Sequence, residues 1–205
     1  MNKPLVIFGA GGHAKVLRDI CSVAGRSVAG FLDNDAQGSV HGVSILGSEE
    51  LLDDPQFVEK HDFILGIGQP AIRNRLAGYA KERGATWATL VHPSAVISQS
   101  VKIGEGSVVN SAAVINIDTR IGARCIVNTG AIIDHDCLLG DDVQICPGAT
   151  IAGGVTCADG VFIGSGASVV PGISIGANST VGAGSTVLAN VPAGVKVFGS
   201  PALKT

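Results

Sequence analysis

Three consecutive residues, Asp134-His135-Asp136, carry the clearest chemical suggestion in this chain: one imidazole between two carboxylates. Histidine has a reference pKa of about 6.5, so it accepts a proton near neutrality. An amine or hydroxyl that attacks an electrophilic centre must shed a proton, and a positioned base can take it. His135 is the residue type for that task, and either Asp134 or Asp136 can hold the ring in a useful tautomer and stabilise its cation. Cys137 follows at once, but the pattern below turns it inward, and the motif offers no evident acyl carrier. A reaction by direct transfer, without a covalent intermediate on the enzyme, is therefore expected of any group transfer at this motif.

What must position His135 is a tract with a strict period of six. Stepping from Ile97 by sixes gives Ile103, Val109, Ile115, Ile121, Val127, Ile133, Leu139 and so on to Val187, with no gap. Four residues after each falls a small or β-branched residue, among them Ala113, Thr119, Cys125, Ala131 and Cys137. A helix repeats near 3.6 and an ordinary strand near 2, so the period marks a parallel β-helix of short strands and turns. Its aliphatic series points inward and three faces close a coil in about eighteen residues, with rungs at roughly 4.8 Å. Glycines directly after the aliphatics, such as Gly104, Gly122 and Gly140, are expected at turns that need unusual backbone angles. His135, two residues past the inward Ile133, should project from a corner. Gly153, eighteen residues on, should stack above it and expose its N–H.

The first 92 residues read differently. A short apolar run over residues 3 to 8, Lys-Pro-Leu-Val-Ile-Phe, reads as a buried strand and leads into Gly9-Ala10-Gly11-Gly12-His13, then a helical pattern through Val16, Leu17, Ile20 and Val23, then a strand Val28 to Leu32 ending at Asp33-Asn34-Asp35. That is one βαβ unit of Rossmann type with an acid near where a ribose-binding carboxylate sits. A dinucleotide usually spans two such halves, so a mononucleotide fits better. A short helix at Glu49 to Leu52, a strand Phe63 to Ile67, a helix Pro70 to Arg83 with Arg73 and Arg75 solvated, and a last strand Thr86 to Val91 complete the expectation. His92-Pro93-Ser94 marks the hinge between a domain at 1–92 and one at 93–205.

The 205 residues carry a formal charge of −3 and no Lys/Arg cluster, which argues against a nucleic-acid partner. Five cysteines without a CxxC pair read as buried reduced thiols rather than disulfides or metal ligands. No leader and no membrane-length apolar run is evident, making a cytoplasmic location with no membrane partner the default.

The repeat, the GAGGHAK stretch and the His135-Asp136 pair together resemble the hexapeptide-repeat sugar acetyltransferases of the PglD/NeuD-like family, over essentially the whole chain. The resemblance implies an α/β Rossmann-like N-terminal domain followed by a left-handed parallel β-helix with a C-terminal cap, assembled as a homotrimer. It implies acetyl-CoA as donor, no metal, and N-acetylation of a nucleotide-linked amino sugar such as a UDP-4-amino-4,6-dideoxy sugar. By the same resemblance His135 and Asp136 are catalytic; Asn128, Gln144 and Gly153 contact acetyl-CoA; Gly11, Gly12 and His13 lie near phosphate, and Asp33 and Asn34 near the nucleoside. Relatives often place a second histidine nine residues after the first. Gln144 stands there instead and cannot titrate near neutrality. Three alternatives stay open: O-acetylation of a sugar of the sialic acid type, a zinc enzyme like γ-carbonic anhydrase, and a solenoid without catalysis.

Overall fold

The computed structural model describes residues 3–204, which divide into two compact units between Leu90 and Val91. The first unit runs β1 (Leu5–Phe8), α1 (Gly12–Val23), β2 (Val28–Leu32), β3 (Ser39–Val40), β4 (Val43–Gly47), a 3-10 turn (Glu49–Asp53), α2 (Pro55–Lys60), β5 (Asp62–Leu65), α3 (Pro70–Glu82) and β6 (Thr86–Trp87). The sheet order is β3-β4-β2-β1-β5-β6, parallel except for the β3–β4 hairpin. All four residues of β1 are buried, as a strand in the middle of a parallel sheet must be when both faces are covered. The hairpin and α2 are too short to leave a periodic signal and were not anticipated.

Three expectations need correction here. The buried stripe of α1 is Ala14, Leu17, Ile20 and Cys21, whereas Val16 and Val23 face outward at 42% and 54% exposure. Small Ala14 lets the helix approach so closely that a Cβ on Gly66 would sit 2.8 Å from the Ala14 methyl. The expected strand from Thr86 to Val91 is two strands: Thr86–Trp87 pairs with β5, and Leu90–Val91 joins a wall of the solenoid. Arg73 is not solvated but 1% exposed, its Nη1 donating to the carbonyls of Leu65 (3.2 Å), the last residue of β5, and Ile67 (2.9 Å) just after it. Arg73→Met is expected to cost about 3 kcal/mol of stability, read as a lowered urea midpoint with unchanged slope.

The second unit is the expected left-handed parallel β-helix. Its two-residue strands stack into three walls. The first wall runs upward through Val108–Val109, Ile126–Val127, Gln144–Ile145 and Phe162–Ile163; the second through Val96–Ile97, Val114–Ile115, Ile132–Ile133 and Thr150–Ile151; the third through Lys102–Ile103, Arg120–Ile121, Leu138–Leu139 and Thr156–Cys157. Pairing is in register at eighteen residues, as in Ile97↔Ile115↔Ile133↔Ile151. The aliphatic series from Val109 to Val187 is at most 5% exposed and fills the interior. Polar members of the second series are satisfied at the corners: Ser107 Oγ donates to Gly122 O (2.9 Å) and Thr119 Oγ1 to Asp134 O (2.7 Å). The tail strands Lys196–Phe198 and Leu203–Lys204 pair antiparallel at the upper end of the first wall.

The turn glycines act differently from the expectation. Left-handed backbone recurs every six residues, but three positions past each aliphatic: Ala112, Asp118, Arg124, Gly130, Asp136 and Asp142 all have φ between 54° and 64°. Gly104 and Gly122, directly after aliphatics, are instead glycine because a Cβ would lie 2.5 Å from the backbone carbonyl of the next coil. Close stacking, not conformational freedom, fixes that series.

Candidate active site

His135 stands on the corner between the second and third walls, with its side chain 55% exposed. Its Nδ1 lies 2.8 Å from Asp136 Oδ2, so Nδ1–H donates to the carboxylate and Nε2 keeps a free lone pair. Asp136 is one of the left-handed turn residues, at φ 58°, a conformation that aspartate and asparagine tolerate better than most residues. Asp134 does not reach the ring. Its Oδ1 accepts from the His135 backbone N–H (2.9 Å) and from Asn116 Nδ2 (2.8 Å). The hydrogen bond that Nδ1–H donates to Asp136, followed by the charge of Asp134, raises the His135 pKa above its ordinary value against an opposing effect of burial.

A base works only when unprotonated, so an enzyme using His135 in that role would show the acidic limb of kcat/KM at higher pH than an unperturbed imidazole gives. Asp136→Asn keeps the turn and a ring partner but removes the largest cause of the shift. Its acidic limb is expected at lower pH than in the parent, with a plateau lowered about tenfold because the imidazolium loses its counter-charge. A pH profile of kcat/KM measures both.

One coil above, Gly153 faces the ring: a Cβ there would stand 2.6 Å from both Nε2 and Cε1 of His135. The coils are tied at this column by Asp136 N–H to Ile117 O (3.1 Å) and Gly154 N–H to His135 O (2.9 Å). Cys137 is fully buried, its Sγ 3.2 Å from Ala152 O, and burial pushes its thiol pKa up. That leaves it unsuited to carry an acyl group.

Asn128 and Gln144 do not converge with His135 in one chain. Asn128 sits at the corner between the first and second walls, where its Oδ1 accepts from Thr129 N–H (2.8 Å) and Asn110 Nδ2 (3.3 Å). Gln144 begins a strand of the first wall, between Ile126 and Phe162, and is 7% exposed. Nine residues are half a coil, which puts Gln144 on the far side of the prism from the imidazole.

In the first unit a cleft of about 460 Å³ opens beside the ends of β1 and β2. Its lining includes Gly9, Asp33, Asn34, Glu49, Ile67 and Arg75, and it takes in neither Gly11, Gly12 nor His13. Asp33 is turned toward its own backbone, accepting from the N–H groups of Ala10 (2.8 Å), Asp35 (3.0 Å) and Ala36 (2.9 Å). Burial pushes its carboxyl pKa up, and those three amides together hold it below the usual value. Gly11 caps α1 with no side-chain hydrogen bond, and open space lies beside Gly11 and Gly12, leaving the helix N-terminus approachable by an anion. His13 is neutral at physiological pH: burial, then the charge of Arg73, pushes its pKa down to about 4. It adds no positive charge there. The sequence reading missed Glu49 and Arg75 as cleft residues. They form a two-pronged ion pair (2.5 and 2.9 Å) on its rim, and no local pattern joins residues that far apart in the chain.

Comparison with known proteins agrees with both units. Residues 4–80 match the family model of the PglD N-terminal domain, and residues 118–153 and 154–189 match that of the bacterial transferase hexapeptide (six repeats). The chain is 38% identical over 117 residues to UDP-N-acetylbacillosamine N-acetyltransferase of Bacillus subtilis (strain 168), covering 52% of this chain and 51% of that one. It thus spans about half the length of that curated relative. The acetyltransferase domain of PglB from Neisseria gonorrhoeae FA1090, also solved with acetyl coenzyme A, superposes with a TM-score of 0.94 at 36% identity over 100% of both chains. PerB from Caulobacter crescentus, solved with CoA and GDP-perosamine, superposes at 0.93 with 39% identity over 98% of this chain and 97% of that one. By its two units, its wall-corner histidine and these likenesses, the chain belongs to the PglD-type hexapeptide-repeat sugar acetyltransferases.

Proposed function

We propose that this protein transfers the acetyl group of acetyl-CoA to the amino group of a nucleotide-linked amino sugar. The observation that carries the reading is the His135 ring: oriented by Asp136 through Nδ1, exposed at a corner, with Nε2 directed to the face under Gly153. In this reading the Gly153 amide receives the thioester carbonyl as negative charge develops, and the amine attacks while Nε2 takes its proton. The C–S bond then breaks and CoA leaves as the thiol. Asp136 stabilises the imidazolium in between. The cleft beside Asp33 and Asn34 takes the nucleoside, and the open end of α1 at Gly11 and Gly12 takes phosphate. An N-acetyltransferase reading is favoured over O-acetylation by relatives whose names specify N-acetyl transfer.

Gln144 reaches a reacting thioester only if a second copy presents it, because one prism holds it half a coil from His135. Three copies around a threefold axis close such head-to-tail contacts, with acetyl-CoA in the groove between neighbours. Exposed apolar residues on the second wall, Val96 at 65% and Ile132 at 41%, suit burial in that contact. Among the described residues no helix is long and apolar enough to cross a membrane. Free cysteines and a CoA donor favour a reducing, cytoplasmic location in this reading.

Matched UDP- and GDP-linked amino and hydroxyl sugars, offered with acetyl-CoA, test the reading. Acetylation of the amino compounds is the expected result, and turnover of the hydroxyl compounds alone overturns it.

A further inference from the structure

Two residues past each inward residue the solenoid rounds an outward corner, and from Gln99 to Ala189 these positions hold polar residues, alanine, glycine or proline, with Ile117 as the exception. Ile117 belongs to the column Gln99, Ile117, His135, Gly153, spaced by eighteen residues in the register set by Ile97↔Ile115↔Ile133↔Ile151, so it lies one rung directly beneath His135. Its carbonyl accepts from the Asp136 N–H (3.1 Å), which fastens it to the turn that carries the site, and its side chain is 54% exposed. At the level of His135 a second row changes character in the same way. Leu138, 47% exposed on the third wall, interrupts a row that reads Lys102 and Arg120 below it and Thr156 above. A single exposed aliphatic needs no explanation, but two that break polar rows beside one titratable ring make an apolar floor for whatever the ring acts on.

We infer that Ile117 is a specificity-determining residue for the acceptor: it receives the substituent on the ring carbon next to the amine and favours a methyl group there over a hydroxymethyl. The inference rests on the nucleotide-linked amino sugar proposed above. Gly153 closes the space above Nε2, so a sugar that brings its amine to that nitrogen lies beside and beneath it. The amine stands about 3 Å from Nε2 for proton transfer. In a 4-amino sugar C6 is three bonds from that amine, roughly 3 to 4 Å, and Ile117 is one rung of about 4.8 Å under His135. These lengths let C6 rest on the Ile117 side chain. A methyl group there leaves water for apolar surface, whereas a hydroxymethyl gives up a hydrogen bond to water that neither Ile117 nor Leu138 can replace. In a 2-amino sugar the amine is flanked instead by the anomeric oxygen with its phosphate and by a C3 hydroxyl, and an aliphatic floor suits neither.

The test is steady-state kinetics with 4-amino-4,6-dideoxy and 4-amino-4-deoxy sugars that differ only in the C6 hydroxyl, each linked to UDP and to GDP. The parent is expected to favour the 6-deoxy acceptor about 30-fold in kcat/KM, within the range an apolar contact allows against one added hydroxyl. Ile117→Val keeps the apolar contact and should retain most of that ratio. Ile117→Thr has the shape of valine but carries a hydroxyl, and should bring the ratio below about fivefold with KM for acetyl-CoA within about twofold of the parent. Equal use of both acceptors by the parent, or an unchanged ratio in the folded Ile117→Thr protein, overturns the inference and leaves the acetyltransferase reading intact. Turnover of 2-amino sugars alone does the same. Altered sedimentation of Ile117→Thr with an equal loss on both acceptors assigns Ile117 to a contact between copies and also overturns it. If the parent acetylates no nucleotide-linked amine at all, the functional reading and the inference fall together.

Discussion

His135→Ala is expected to lower kcat/KM for acetyl transfer by about 10²- to 10⁴-fold, the range a positioned general base contributes. The side chain is more than half exposed and contributes nothing to the packed interior, so the solenoid should stay folded. Circular dichroism and sedimentation should match the parent, and KM for acetyl-CoA should change little. Raising the pH should recover part of the lost rate, because the variant depends on the fraction of acceptor amine already deprotonated. A folded His135→Ala protein with parental activity would remove the imidazole from the mechanism.

Gly153→Ala should be nearly as damaging, at about 10²-fold, although the residue carries no functional side chain. Its methyl would stand 2.6 Å from two atoms of the imidazole, closer than nonbonded carbon approaches, so the ring must turn away from Asp136 or the coil must shift. The glycine does not need φ > 0, so the substitution brings crowding without backbone strain. A double-mutant cycle separates the causes. If the methyl acts by displacing the imidazole, adding Gly153→Ala to His135→Ala costs little more. A full further 10²-fold loss in the double variant would show that Gly153 acts independently of the ring.

Gly153 is also where the sequence was most readable. A solenoid turns long-range contact into addition: once eighteen residues make a coil, the neighbour of His135 in space is found by counting. The buried aliphatic column and the inward Cys125, Cys137 and Cys157 follow from the same rule, because each face of the prism admits one inward side chain per repeat. In the first unit no such rule exists. Arg73 looked like one more charged residue on a surface helix, and only the fold brings its guanidinium to the carbonyls of Leu65 and Ile67.

Periodicity alone established that residues beyond about 96 form a prism with His135 on an outer corner, since no other structure repeats an inward side chain every six residues. Which carboxylate meets the ring was decided only in three dimensions: the left-handed turn at Asp136 swings its carboxylate to Nδ1, while Asn116 and the His135 amide hold Asp134 away. The same holds for the cleft of the first unit, where the Glu49–Arg75 pair and the amides around Asp33 are joined by chain folding rather than spacing. A repeat dictates contacts between equivalent positions. Contacts between inequivalent positions depend on backbone direction and on competing hydrogen bonds, and these exist only once the chain has folded.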